Sequence, residues 1–156
     1  MSSAVCPAAL QLAFDRRGFI INQLELMAVL CCLLTYGEWL RGRRVLWFID
    51  NCSALSSCVH GYASKLDMAR MANAVQMALC GLDVRAHFEW VPSDANISDI
   101  PSRVDSISEM DQDERKVWTE LGLPGEGEWD AMRFPPREQL DKFDCFLQCD
   151  QPVISP

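Results

Sequence analysis

The chain has 156 residues, of which 49% are hydrophobic and 23% are charged, with a formal net charge of -8. That length is sufficient for one domain with a hydrophobic core. The longest nearly apolar run, residues 26–34, has nine residues, against the roughly 18 that a membrane-spanning helix needs. The opening residues lack the basic segment of a signal peptide. The sequence therefore predicts an intracellular protein with no membrane partner.

The eight cysteines stand at positions 6, 31, 32, 52, 58, 80, 145 and 149. Their spacing shows no zinc-knuckle pairing, and positions 31 and 32 lie inside an apolar helical run. We expect the cysteines to be reduced and mostly buried. No metal site is predicted from them.

Charge is distributed unevenly along the chain. Residues 1–103 hold nine basic and nine acidic side chains, whereas residues 104–156 hold five basic and thirteen acidic ones, which supply the whole net charge. The second part is also rich in Pro and Gly. We therefore predict a folded domain over residues 8–103 and an acidic appendage of low intrinsic order over residues 104–156.

The pattern of residues 8–103 alternates strands with helices. A hairpin is predicted over residues 8–21, with its turn at residues 15–18. The apolar run 45–49 has no polar alternation, which is typical of a strand covered on both faces. The other predicted elements are helices over 23–40, 52–59 and 65–82, a strand over 84–91, and one helix in the appendage over 109–121. This order predicts an α/β fold with helices packed on a mixed sheet.

Three acidic residues stand at positions where strands and helices end or begin. Glu25 lies near the start of a predicted helix, Asp50 directly follows the buried strand, and Asp99 follows the last strand. Each has an ordinary explanation, because Glu25 can complete a helix cap with Asn22, Asp50 can cap the next helix, and Asp99 can be a turn residue. Together they favour one edge of a sheet, where clustered carboxylates would bind divalent cations.

The segments around these acids carry a resemblance to a known family. They read INQLELMA from position 21, FIDNCSA from position 48, and WVPS from position 90, followed by Asn96 and by DIPSR from position 99. Over residues 8–103 they resemble the ribonuclease H domain of retrotransposon reverse transcriptases. The resemblance implies a ribonuclease H-like fold, cleavage of the RNA strand of RNA/DNA hybrids, and two Mg²⁺ ions for which Mn²⁺ can substitute. It also implies other parts of a reverse transcriptase polyprotein as partners.

Carried over residue by residue, the resemblance makes Glu25, Asp50 and Asp99 the metal-binding catalytic residues. Asn51 and Asn96 would be supporting contacts to the substrate. The family's first carboxylate lies on an opening strand before the hairpin, and no acidic residue precedes the hairpin here. We therefore expect the fold to be incomplete at its amino end, and this chain alone to be weakly active or inactive.

Basic residues offer contacts for nucleic acid near the end of the long helix. Arg43 and Arg44 can contact phosphates there, although an Arg cluster can equally offset the dipole of the helix end.

Two other classes of protein stay open. A DDE integrase needs Asp, Asp and Glu in that order, whereas this chain has Glu, Asp and Asp. A catalytically inactive ribonuclease H-like module that binds nucleic acid or protein is the second alternative.

Overall fold

The computed structural model of the protein describes residues 2–3, 20–96, 110–120, 122 and 130–131. Its elements in chain order are β1 (Ser2–Ser3), α1 (Ile21–Leu40), β2 (Arg44–Ile49), α2 (Cys52–His60), α3 (Leu66–Gly81), β3 (Arg85–Trp90), a 3-10 turn (Ser93–Ala95), α4 (Gln112–Glu120) and β4 (Asp130–Ala131). Five predicted elements from residue 23 onward are confirmed to within one or two residues. The predicted appendage helix over 109–121 is confirmed over Gln112–Glu120. The chain therefore has an α/β architecture, with parallel pairing of β2 with β3 and of β1 with β4.

The amino end of α1 differs from the predicted hairpin. Residues 8–19 lie outside the described part of the chain, but the predicted second strand also included Ile20 and Ile21. Ile21 is instead the first helical residue, and the Leu24 amide donates to the Ile20 carbonyl at 3.0 Å. The helix extends back to these residues because this backbone bond closes its first turn there.

Helix α1 is the main core helix of the described fold. Its buried positions recur at helical spacing, and they are Gln23, Leu26, Met27, Val29, Leu30, Cys31, Leu33, Gly37 and Leu40. Gly37 allows a close approach, since a Cβ there would lie 3.1 Å from Leu82 Cδ1. After Leu40 the chain reverses through Gly42, whose φ of +71° is the left-handed conformation that favours glycine.

Length and composition alone would let α1 cross a membrane, contrary to the sequence prediction. Its 20 residues include a window of mean hydropathy 1.2, and half of that window is buried inside the fold. The prediction considered the unbroken apolar run, whereas the helix continues well beyond it. The core helix of a soluble protein meets the same criterion.

Strands β2 and β3 pair in parallel and in register. Arg44 lies opposite Arg85 at the amino end, and Ile49 lies opposite Trp90 at the carboxyl end. Helices α2 and α3 form the crossover connection that parallel strands require. Both strands of this sheet therefore begin on one side of the fold and end on the other.

Only one face of this sheet packs on the core, so the prediction that residues 45–49 are covered on both faces was wrong. Val45, Trp47 and Phe88 pack against the buried cluster of α1, α2 and α3. On the opposite face, Leu46 is 58% exposed and Phe48 is 54% exposed. The apolar run carries no alternation of polarity, because the outward positions of β2 are themselves hydrophobic.

The five described cysteines are free thiols in different environments. Cys31 and Cys58 are buried and Cys32 is half-buried, whereas Cys52 and Cys80 are exposed. Burial raises the pKa of the Cys58 thiol to about 12 and that of Cys32 to about 11. The prediction of mostly buried cysteines thus fits three of these five.

Two methionines on α3 provide a matched test of the core. Met71 is fully buried, whereas Met77 is 70% exposed. We expect Met71→Ala to lower the free energy of unfolding by about 2–5 kcal/mol, because it removes packed volume from the core. Met77→Ala should change it by less than about 0.5 kcal/mol. Chemical denaturation measures both, and equal effects would contradict the assigned core.

The thiols should differ in reactivity. A maleimide probe at mildly alkaline pH should label Cys52 and Cys80 in the native protein, and Cys58 only after unfolding, as peptide mapping by mass spectrometry would show. The pKa of Cys58 is higher in the fold than the ordinary thiol value of 9.0, so its contribution to stability is present below pH 9 and is lost as the pH rises toward 12. Rapid native labelling of Cys58 would contradict its burial.

Candidate functional site

A side-chain hydrogen bond joins the start of α1 to the carboxyl end of β2. Asn51, two residues beyond β2, donates from Nδ2 to Oδ1 of Asn22 over 2.8 Å. Glu25 follows Asn22 by three residues, and positions three apart share one face of a helix. Asp50 directly precedes Asn51. The bond therefore brings together the chain segments that carry Glu25 and Asp50, and both residues are half-buried.

The ordinary explanation for Glu25 does not fit the structure. The residue at the N-cap of α1 is Ile20, whose side chain makes no capping hydrogen bond. Asn22 lies inside the helix, and its oxygen accepts from Asn51. Glu25 is therefore in the second turn of α1 and does not complete a capping box with Asn22.

The ordinary explanation for Asp50, a cap on the next helix, does not fit the structure either. The N-cap of α2 is Asn51, whose Oδ1 accepts from the Ala54 amide at 2.9 Å. Asn51 thus uses its side chain both to cap α2 and to hold α1, which accounts for this residue without a substrate contact. The Asp50 carboxylate does not cap α2, although Asp50 follows the strand directly.

The carboxyl end of β3 completes this edge of the sheet. The Trp90 indole Nε1 donates to the Asp50 carbonyl at 3.1 Å, and the Val91 amide donates to the Ile49 carbonyl at 3.2 Å. The 3-10 turn Ser93–Ala95 follows, with Asn96 directly after it. Asn96 therefore lies on the segment that leaves the same edge as Asp50.

The donor types at this edge suit a hard cation, because carboxylate oxygens are preferred ligands of Mg²⁺. The described residues supply two of the three predicted ligands, Glu25 and Asp50. Asp99 lies outside the described part of the chain. In that part no group of three or more His, Cys, Asp or Glu side chains forms a metal site.

The two predicted substrate-binding arginines lie at the other end of the sheet. Arg44 is the first residue of β2, so its Cα is about 20 Å along the strand from that of Asp50. The Arg43 guanidinium lies over the Trp39 ring, 4.6 Å from its centroid. Strand β2 separates both arginines from Asp50. Neither arginine can therefore contact the same phosphate as Asp50.

Comparisons with protein-family models, with curated proteins and with solved structures found no match to this chain.

Two buried polar residues near this site were not singled out in the sequence. Gln23 Nε2 donates to Asp67 Oδ2 at 3.0 Å, which links the first turns of α1 and α3. Asp67 is only 1% exposed. An acid in the first turn of a helix is ordinarily a surface residue that complements the helix dipole, so no sequence pattern indicated the burial of Asp67.

The contact between Asn22 and Asn51 can be measured by a double-mutant cycle. We expect Asn51→Ala to cost about 2 kcal/mol, because it removes both the cap of α2 and the bond to α1. Asn51→Ser should cost about 1 kcal/mol, since serine can still cap the helix. The coupling between Asn22→Ala and Asn51→Ala, from denaturation, should be about 0.5–1.5 kcal/mol. Strict additivity would show that the two side chains do not interact.

Proposed function

We propose that this chain carries a ribonuclease H-type endonuclease site that cleaves the RNA strand of RNA/DNA hybrids with two divalent metal ions. Glu25 and Asp50 are the proposed metal ligands, with Asp99 as the third. Asn96 is a proposed substrate contact. The chain would act as part of a retroelement reverse transcriptase.

The observation that carries this proposal is the hydrogen bond between Asn51 and Asn22. It supports the proposal because it joins two of the motifs of the resemblance, which are 29 residues apart, at the carboxyl edge of a parallel sheet. Ligand sites in open α/β sheets form at such edges.

Metal ions at these carboxylates would supply a stabilised hydroxide and neutralise charge on the scissile phosphate. The role of the protein is to hold the oxygen donors. Asn51 contributes as a positioning residue, because its cap and its bond to Asn22 hold the strand end against α1.

Hybrid cleavage tests the proposal directly. The purified chain should cut labelled RNA in an RNA/DNA hybrid slowly in Mg²⁺ or Mn²⁺, and it should leave a DNA duplex intact. Asp50→Asn should lower the rate at least about 100-fold, since it removes a metal ligand while keeping the side-chain shape. The products are resolved on denaturing gels.

Asp83→Asn is the matched control for this experiment. Asp83 is exposed and precedes β3 at the amino end of the sheet, and its φ of +51° is one that Asn also adopts. The cleavage rate of the Asp83→Asn variant should equal that of the parent chain. Calorimetry with Mn²⁺ provides a second readout, with uptake lost in Asp50→Asn and kept in Asp83→Asn. The absence of both cleavage and manganese uptake in the parent chain, or equal cleavage by Asp50→Asn, would overturn the proposal.

A further inference from the structure

The exposed face of the β2–β3 sheet combines apolar and cationic side chains in three rows. The register places Arg44 beside Arg85, Leu46 beside His87, and Phe48 beside Glu89. All six residues are exposed, and paired residues of adjacent strands point to the same face. The contact of His87 Nε2 with Glu89 Oε2, at 3.4 Å, fits this arrangement. We call these six residues the outer face.

Arg44 and Arg85 are two like charges directly opposite each other, an arrangement that destabilises a strand pair. No hydrogen bond or ion pair of either guanidinium was found within the described residues. By contrast, the neighbouring Arg41 pairs with Glu38 at 2.8 Å. An anion placed between Arg44 and Arg85 would relieve their repulsion and satisfy both donors.

Leu46 and Phe48 continue from this cationic row toward the carboxyl end of β2. An exposed aromatic ring on a sheet is a platform on which a base can stack, and stacking needs no particular sequence. Successive outward residues of a strand lie about 6.6 Å apart. The outer face thus offers a phosphate contact and a stacking surface side by side.

A recess borders the outer face along β3. A cavity of about 580 Å³ is lined by consecutive strand residues 84–88, together with residues of α2 and α3. Since consecutive strand residues point to opposite faces, the cavity runs along the edge of β3 rather than under one face. Arg85 and His87 belong to both the cavity and the outer face, so a ligand on the face has space beside it.

We propose that the outer face binds single-stranded nucleic acid, with a phosphate between Arg44 and Arg85 and a base on Phe48. This is a separate surface from the carboxylate edge, and it does not depend on nuclease activity. Charge complementarity favours this partner over an apolar protein, because Arg44 and Arg85 attract an anion and no ion pair of either was found among the described residues. The net charge of -8 of the whole chain makes the binding modest and salt-sensitive.

Fluorescence anisotropy with a labelled oligouridine of about ten nucleotides, a length within the usual single-strand site size, tests this proposal on the full chain. The double variant Arg44→Ala/Arg85→Ala should raise the Kd at least about tenfold and reduce the slope of log K against log salt by about 0.7, which corresponds to the one phosphate held between the two arginines. Lys65→Ala/Lys116→Ala removes the same charge from outside the sheet, and it should leave the slope unchanged. An oligodeoxyuridine of equal length distinguishes RNA from DNA as the preferred strand.

The stacking contact is tested separately at Phe48. Phe48→Leu keeps an apolar residue but removes the ring, and it should weaken binding at least about fivefold, whereas Phe48→Tyr should retain it. Circular dichroism and the denaturation midpoint check that each variant is folded. Unchanged affinity and salt slope in the arginine variant would overturn the proposal, as would a parent chain that binds an acidic peptide and no oligonucleotide. Asp50→Asn should bind as the parent does, so failure of the nuclease assignment is distinguishable from failure of this one.

Discussion

The parallel, in-register pairing of β2 with β3 determines where every candidate functional group lies. Because the strands run in the same direction, Ile49 and Trp90 end at one edge while Arg44 and Arg85 begin at the other. The carboxylate edge and the cationic row are therefore separated by the length of a strand. Any single phosphate can meet only one of these two groups, and a ligand that meets both must extend along the sheet.

The carboxylate edge depends on polar contacts made by few side chains. Asn51 holds α2 through the Ala54 amide and α1 through Asn22, and Trp90 holds the Asp50 carbonyl from the neighbouring strand. These bonds join three elements where hydrophobic packing alone would leave their relative rotation less defined. Such support is what a metal site needs, since ligand carboxylates act only when their orientation is fixed.

The helices and strands could be predicted from the sequence, because each has its own hydrophobic period or its own boundary residues. Residues 52–60 begin after an asparagine that caps them and end at Gly61, whose φ is +65°. The start of α1 could not be read in the same way, because the isoleucines at 20 and 21 fit a strand by propensity, and the backbone bond from Leu24 to Ile20 overrides that preference. The resemblance named Glu25 and Asp50, and the contact between Asn22 and Asn51 joins the chain segments that carry them.

The sequence by itself determined the order and approximate bounds of the helices and strands over residues 23–90, since hydrophobic period and caps are local properties. Only the tertiary structure decided that Leu46 and Phe48 are exposed, that Arg44 lies beside Arg85, and that Asp67 is buried. The reason is physical, because an apolar run shows that a strand is hydrophobic but does not show which of its faces finds a partner. Burial and distance depend on contacts between residues far apart in the chain, and no short pattern records them.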